Sequence, residues 1–163
     1  MEAKAGGIAR NETKDLSPQI TVDAPILIPE EYVPDLDLRM GLYRRLNELE
    51  GPQEIEAFAA ELIDRFGKLP EATDNLLKVI EIKLNCRKAC IAKMDVGPKG
   101  ALVHFFNDSF PDLPGLIAYV QHLKGTAKLR PDNKLVITRN WADPEARLRG
   151  AQQLAKGLAK IVG

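Results

Sequence analysis

The chain has 163 residues, 45% of them apolar and 28% charged, with Lys+Arg 23 balanced by Asp+Glu 23. That suffices for one domain with a real core, and the zero net charge argues against a dedicated nucleic-acid module, which carries a basic excess. No apolar run reaches the roughly 20 residues of a membrane span, and the N-terminus lacks a charged-then-apolar leader. A cytoplasmic chain is therefore expected. Its two cysteines, Cys86 and Cys90, suit free thiols in a reducing compartment better than a disulfide framework.

Residues 1–16 are small, polar and aperiodic, and read as a flexible linker or tail. From Ser17 the pattern tightens. Ile20, Val22 and Ala24 alternate with polar neighbours, and Pro25 and Pro29 frame a short extended segment. Leu38, Leu42, Leu46 and Leu49 recur at helical spacing, which predicts a first helix from Pro34 to about Leu49. Gly51-Pro52 breaks it, and Pro52 is well placed in the first turn of a second helix running to Phe66. Gly67 supplies its C-terminal cap. A third helix is expected from near Pro70 to near Lys93, with Leu76, Leu77, Ile80, Leu84 and Ile91 on its buried side.

The period then changes. Met94–Val96, a Gly97-Pro98-Lys99-Gly100 turn and Ala101–Phe106 predict a hairpin. Leu113–Leu123 reads as a helix, and Lys128–Arg130 with Leu135–Thr138 as a second hairpin. Asp143 as N-cap and Pro144 in the first turn open a last helix to about Val162. Helices first and hairpins later predict an α+β fold. It would comprise an N-terminal bundle of three helices followed by antiparallel β-hairpins with further packing helices, as one domain over 17–163.

Catalytic constellations are missing from the sequence. It has no phosphate-cradling Gly-rich loop ending in Lys-Ser or Lys-Thr and no metalloprotease His pair. His104 and His122 read as structural or surface residues. Cys86 and Cys90, four apart without a second pair, read as packing residues rather than zinc ligands. No metal and no catalytic residue is expected. Trp141, at a strand-to-helix junction, reads as packing. On the second helix, Glu54, Ala57, Glu61 and Asp64 follow a spacing of three, four and three, which lines up three carboxylates. The ridge is either a solvated helix face or an acidic strip that receives a partner's arginines, with Arg65 beside it able to form local pairs. Arg39, Arg44 and Arg45 give the first helix a basic side, either balanced by nearby acids or able to meet phosphates.

Several stretches together carry a resemblance: Leu27-Ile-Pro-Glu-Glu-Tyr-Val-Pro-Asp35, Leu42-Tyr-Arg-Arg45, Glu61-Leu-Ile-Asp-Arg-Phe-Gly67 followed by Leu69-Pro70, Asn75-Leu76, and Leu129-Arg-Pro-Asp-Asn-Lys-Leu-Val136. From Ser17 to Gly163 the chain resembles the C-terminal domain of the bacterial transcription-repair coupling factor. The resemblance implies a non-catalytic, autoinhibitory domain of a large DNA-repair protein. ATP and Mg would bind the parent's motor domains, and no cofactor would bind this chain. The parent would engage stalled RNA polymerase, double-stranded DNA and the damage-recognition ATPase of nucleotide-excision repair. The C-terminal domain would pack on the parent's N-terminal module, which resembles the excision-repair helicase, and mask the surface that recruits that ATPase. In this setting Glu61 and Asp64 would face arginines of the N-terminal module, with Arg65 and Glu54 as lesser contributors. Phe66, Gly67, Pro70, Tyr32 and Tyr43 would be structural. An alternative is a DNA-binding accessory module that uses the Arg39, Arg44 and Arg45 side. One departure stands out: similar domains tend to have Gly where this chain has Cys90, which predicts an altered turn before the first hairpin.

Overall fold

The structure, a computed structural model, describes residues 17–163. The expected tail at 1–16 lies outside the described residues. The chain is mixed α and β. Strand β1 (Gln19–Val22) is followed by α1 (Leu36–Leu46), α2 (Pro52–Phe66) and α3 (Glu71–Lys88). Strands β2 (Ile91–Gly97) and β3 (Gly100–Phe105) come next, then a short 3-10 turn at Phe106–Asp108, α4 (Leu113–His122), β4 (Ala127–Leu129), β5 (Leu135–Thr138) and α5 (Pro144–Val162).

All five strands join one sheet, in the order β1-β2-β3-β5-β4. β1 runs parallel to β2, with Ile20 beside Met94, and the remaining pairings are antiparallel. Sequence periodicity suggested separate hairpins and did not foresee a sheet uniting them with β1. Parallel neighbours need a long crossover, and here the whole α1–α2–α3 block supplies it. The first strand ends at Val22, where the Ala24 N–H turns back to the Val22 carbonyl, and the prolines at 25 and 29 follow in the loop beyond it, where a ring without an N–H continues no ladder.

Two apolar clusters result. One joins the inward residues of the sheet (Met94, Val103, Leu135, Ile137) to α5 (Leu148, Ala151, Leu158) and to Val79, Ile82 and Cys86 of α3. The other joins Leu42 and Leu46 of α1, Phe58 and Leu62 of α2, and Leu77 and Ile80 of α3, with Ile28 and Val33 from the preceding loop. Helix α3 is therefore apolar on two sides, as befits a helix buried between layers.

Several boundaries differ from expectation. α1 ends at Leu46 and starts after Asp35, whose carboxylate accepts from the Leu38 N–H as an N-cap. α3 ends at Lys88, not near Lys93, because Cys90 adopts a left-handed conformation (φ 58°). Ile91, expected on the helix, is instead a fully buried strand residue. Cys90, a non-glycine residue, thus forms the turn before the first hairpin in the left-handed region. Asp143 does precede α5, but its side chain makes no capping hydrogen bond.

Two details fix the frame. Gly100 closes the β2–β3 turn at φ +132°, where a Cβ would sit 1.8 Å from the Ile137 carbonyl oxygen; only glycine fits there. Arg147, 7% exposed, donates to the Trp141 carbonyl at 2.7 Å, to that of Ala142 at 2.8 Å and to that of Asp23. It clamps the end of β1, the 141–142 turn and α5 together.

Candidate functional site

The sequence of α2 dictates an amphipathic helix. Phe58 and Leu62 are buried, while Glu54, Glu56, Ala57, Ala60, Ile63, Asp64 and Arg65 are exposed. Gly67 (φ +98°) caps it, its N–H donating to the Ile63 carbonyl. Tyr32 braces this end. The Tyr32 hydroxyl lies 3.1 Å from the Leu62 carbonyl oxygen and 2.7 Å from that of Gly67, and the Tyr32 ring packs on Phe66 at 5.7 Å. The Tyr43 hydroxyl accepts from the Ile28 N–H at 2.7 Å. Further on, Thr73 donates to the Leu27 carbonyl and Asn75 to that of Pro25, tying the 25–29 loop to α3. The outer face of α2 is thus held by packing on its inner face and at its C-terminal end.

On that outer face the three carboxylates do not behave alike. Glu54 accepts from the Glu50 N–H at 3.1 Å and so serves the helix start. Glu61 accepts a two-pronged Arg45 guanidinium from α1, at 2.6 and 2.8 Å, and Arg65 one turn on at 2.8 Å. Hydrogen bonds from Arg45, then from Arg65, hold the Glu61 carboxyl at about 2. The Arg45 guanidinium is pushed up by the same bond and lies over the Phe58 ring at 4.9 Å. Asp64 is exposed and makes no ion pair among the described residues. Periodicity could align these acids; it could not show that an arginine 16 positions upstream closes one of them.

The basic side of α1 dissolves in three dimensions. Arg39 donates to the Val33 carbonyl at 2.8 Å and Arg45 is bound to Glu61, leaving Arg44 exposed. Arg39 and Arg45 are thus held by different neighbours.

The other polar residues scatter. Cys86 is buried, which pushes its thiol up to about 12, and burial also raises the Cys90 thiol. Among the described residues no group of three or more His, Cys, Asp or Glu is arranged to hold a metal. The His104 Nε2 is buried without a hydrogen-bond partner, 4.0 Å from Asp95. A cleft of about 160 Å³ is lined by Phe105, Phe110, Leu113 and Leu116 among others, and neither His104 nor Cys90 borders it. Trp141 is buried in the sheet-side core against Gly150, where a Cβ would meet the indole at 2.2 Å. No helix of the described residues is long and apolar enough to cross a membrane.

Comparison with known proteins places this arrangement. The TRCF domain family matches residues 22–116. The transcription-repair-coupling factor of Rickettsia conorii is 37% identical over 145 residues, 88% of this chain and 13% of that protein. That of Myxococcus xanthus is 33% identical over 121 residues, 74% of this chain and 10% of that protein. The Escherichia coli protein is 26% identical over 140 residues, 86% of this chain and 12% of its own length. The chain thus corresponds to about an eighth of these relatives. The crystal structure of the C-terminal domain of a transcription-repair coupling factor superposes with a TM-score of 0.75 at 19% identity, covering 90% of this chain and 94% of that one, which establishes a shared fold. With the family pattern spanning more than half of its residues, the chain belongs to the TRCF domain family of the transcription-repair coupling factors.

Proposed function

We propose that this chain is a non-catalytic, autoinhibitory domain that docks through the outer face of α2 onto an arginine-bearing surface of its parent's N-terminal module. The observation that carries this reading is Asp64. It is exposed and makes no ion pair among the described residues, on a helix whose opposite face buries Phe58 and Leu62, next to Ile63, an apolar side chain 49% exposed. A rigid helix offering one open carboxylate and one apolar anchor suits an orienting, reversible contact. Exposed ion pairs contribute only about 0 to 1 kcal/mol each and give specificity more than affinity. Such a lock need be favoured by only a few kcal/mol for a ligand to reverse it.

In the parent, ATP and Mg would act at motor domains outside this chain. Engagement of RNA polymerase and double-stranded DNA would release the lock and expose the surface that recruits the damage-recognition ATPase of nucleotide-excision repair in the cytoplasm. The alternative, DNA binding by the basic side of α1, is disfavoured because Arg39 and Arg45 are each committed to neighbours within the chain.

The test is binding of this chain, in trans, to the N-terminal module, with and without Glu61→Ala plus Asp64→Ala. Saturable binding lost in the double variant is expected. No binding up to about millimolar, the effective concentration that a short tether supplies, would exclude the lock. Salt-dependent binding of duplex DNA instead would favour the alternative.

A further inference from the structure

Both oxygens of Glu61 are occupied in the free domain. Oε1 accepts from Arg45 Nη2 at 2.6 Å, and Oε2 from Arg45 Nη1 and Arg65 Nη1, each at 2.8 Å. A carboxylate offers about four lone-pair sites, so three are already taken. The local charge changes as well. One carboxylate with two guanidiniums carries a formal charge of +1, offset on the Arg45 side by Glu48, whose charge also acts on that guanidinium. Among the described residues an incoming arginine therefore meets Asp64 without an ion pair and Glu61 closed, behind two like charges.

We propose that Arg45 is an internal competitor that sets the strength of docking: Glu61 exchanges the Arg45 fork for a partner's guanidinium when the domain locks. The inference rests on the docking reading above. Arg45 is the residue to single out because it approaches in the two-pronged geometry that makes arginine–carboxylate pairs strong and comes from a different helix. Arg65 reaches one oxygen from the same helix. The exchange is physically cheap. The side chains are 47% and 33% exposed, so water can cover each group as it parts. On release the Arg45 guanidinium keeps a resting place over the Phe58 ring, where it already lies. The geometry thus builds in a docking contact weaker than the bare carboxylates would give, which a reversible lock requires.

The experiment replaces Arg45 in this chain and titrates it with the N-terminal module. A solved domain of the same fold supports handling the chain alone. Arg45→Met keeps an apolar stem on Phe58 and removes the competitor. Its dissociation constant should fall about two- to fivefold, the range that one exposed ion pair allows. Arg45→Lys, which cannot form the fork, should fall between wild type and Arg45→Met. NMR titration of the Glu61 carboxyl reads the pair directly: in Arg45→Met it should move up from about 2. If Arg45→Met binds no tighter while Glu61→Ala plus Asp64→Ala abolishes binding, the competitor role is overturned and docking stands. If wild type does not bind, or binding ignores the Glu61 and Asp64 changes, both fall.

Discussion

A carboxylate gripped by two guanidiniums responds to acid differently from one that faces water, and Glu61 shows how. Its carboxyl sits at about 2 in the folded domain against 4.5 for the free group. Above about pH 4.5 both folded and unfolded chains have it ionised, and the pair contributes in full. Between 4.5 and 2 the unfolded chain binds a proton that the folded chain does not, so the contribution falls as pH drops. Glu61→Gln should therefore destabilise the domain above pH 5 by no more than about 1 kcal/mol, since both side chains are partly exposed. The gap from wild type should close between pH 4.5 and 2. Urea midpoints measured across that range check this, and a gap that persists at pH 2 would refute the pairing. Asp64, three residues further along, makes no such ion pair among the described residues, which is why it anchors the functional reading.

At the scale of elements, helix ends were legible where local chemistry dictates them. The start of α2 at Pro52 and its stop at Gly67 follow from a missing N–H and from a residue free to take positive φ. The end of α3 was not legible, because Cys90 gives no such signal and Ile91 continues an apolar rhythm. What stops the helix is a left-handed Cys90 at φ 58°, whose carbonyl accepts from the Phe106 N–H at 2.7 Å to start the sheet. A left-handed residue bearing a Cβ costs roughly 1 kcal/mol relative to glycine. Cys90→Gly should keep the fold and change stability by about 1 kcal/mol or less, relieved strain offsetting the lost thiol packing. Cys90→Val, β-branched at the same φ, should lose about 1 to 3 kcal/mol. Thermal melts of the two variants would show the difference, and equal midpoints would mean that this turn carries no strain.

The whole molecule is two cores hung on one helix. α3 contributes Leu77 and Ile80 to the helical side and Val79, Ile82 and Cys86 to the sheet side, so neither cluster survives if α3 melts. Leu62, fully buried on the helical side, should cost about 2 to 5 kcal/mol when cut to Ala. The sole tryptophan, Trp141, is buried in the sheet-side core. In Leu62→Ala its fluorescence transition should shift together with helical circular dichroism, as one cooperative unit requires. A Trp141 midpoint left at the wild-type value would show instead that the two cores unfold separately.

The sequence by itself determined the α+β class, the positions of most elements and the family, because periodicity, prolines, glycines and a few contiguous motifs are local properties of the chain. It also aligned Glu54, Glu61 and Asp64 on one helix. Only the tertiary structure decided that β1 lies parallel to β2 and that two hairpins share one sheet, since strand pairing is a long-range choice. Tertiary structure likewise separated the three carboxylates, giving Glu54 to a helix start, Glu61 to two arginines and Asp64 to solvent. Helical spacing sets the direction in which a side chain leaves the backbone. What that side chain meets depends on which helix packs alongside, and α1 brings Arg45 to Glu61 only once the helical core has formed.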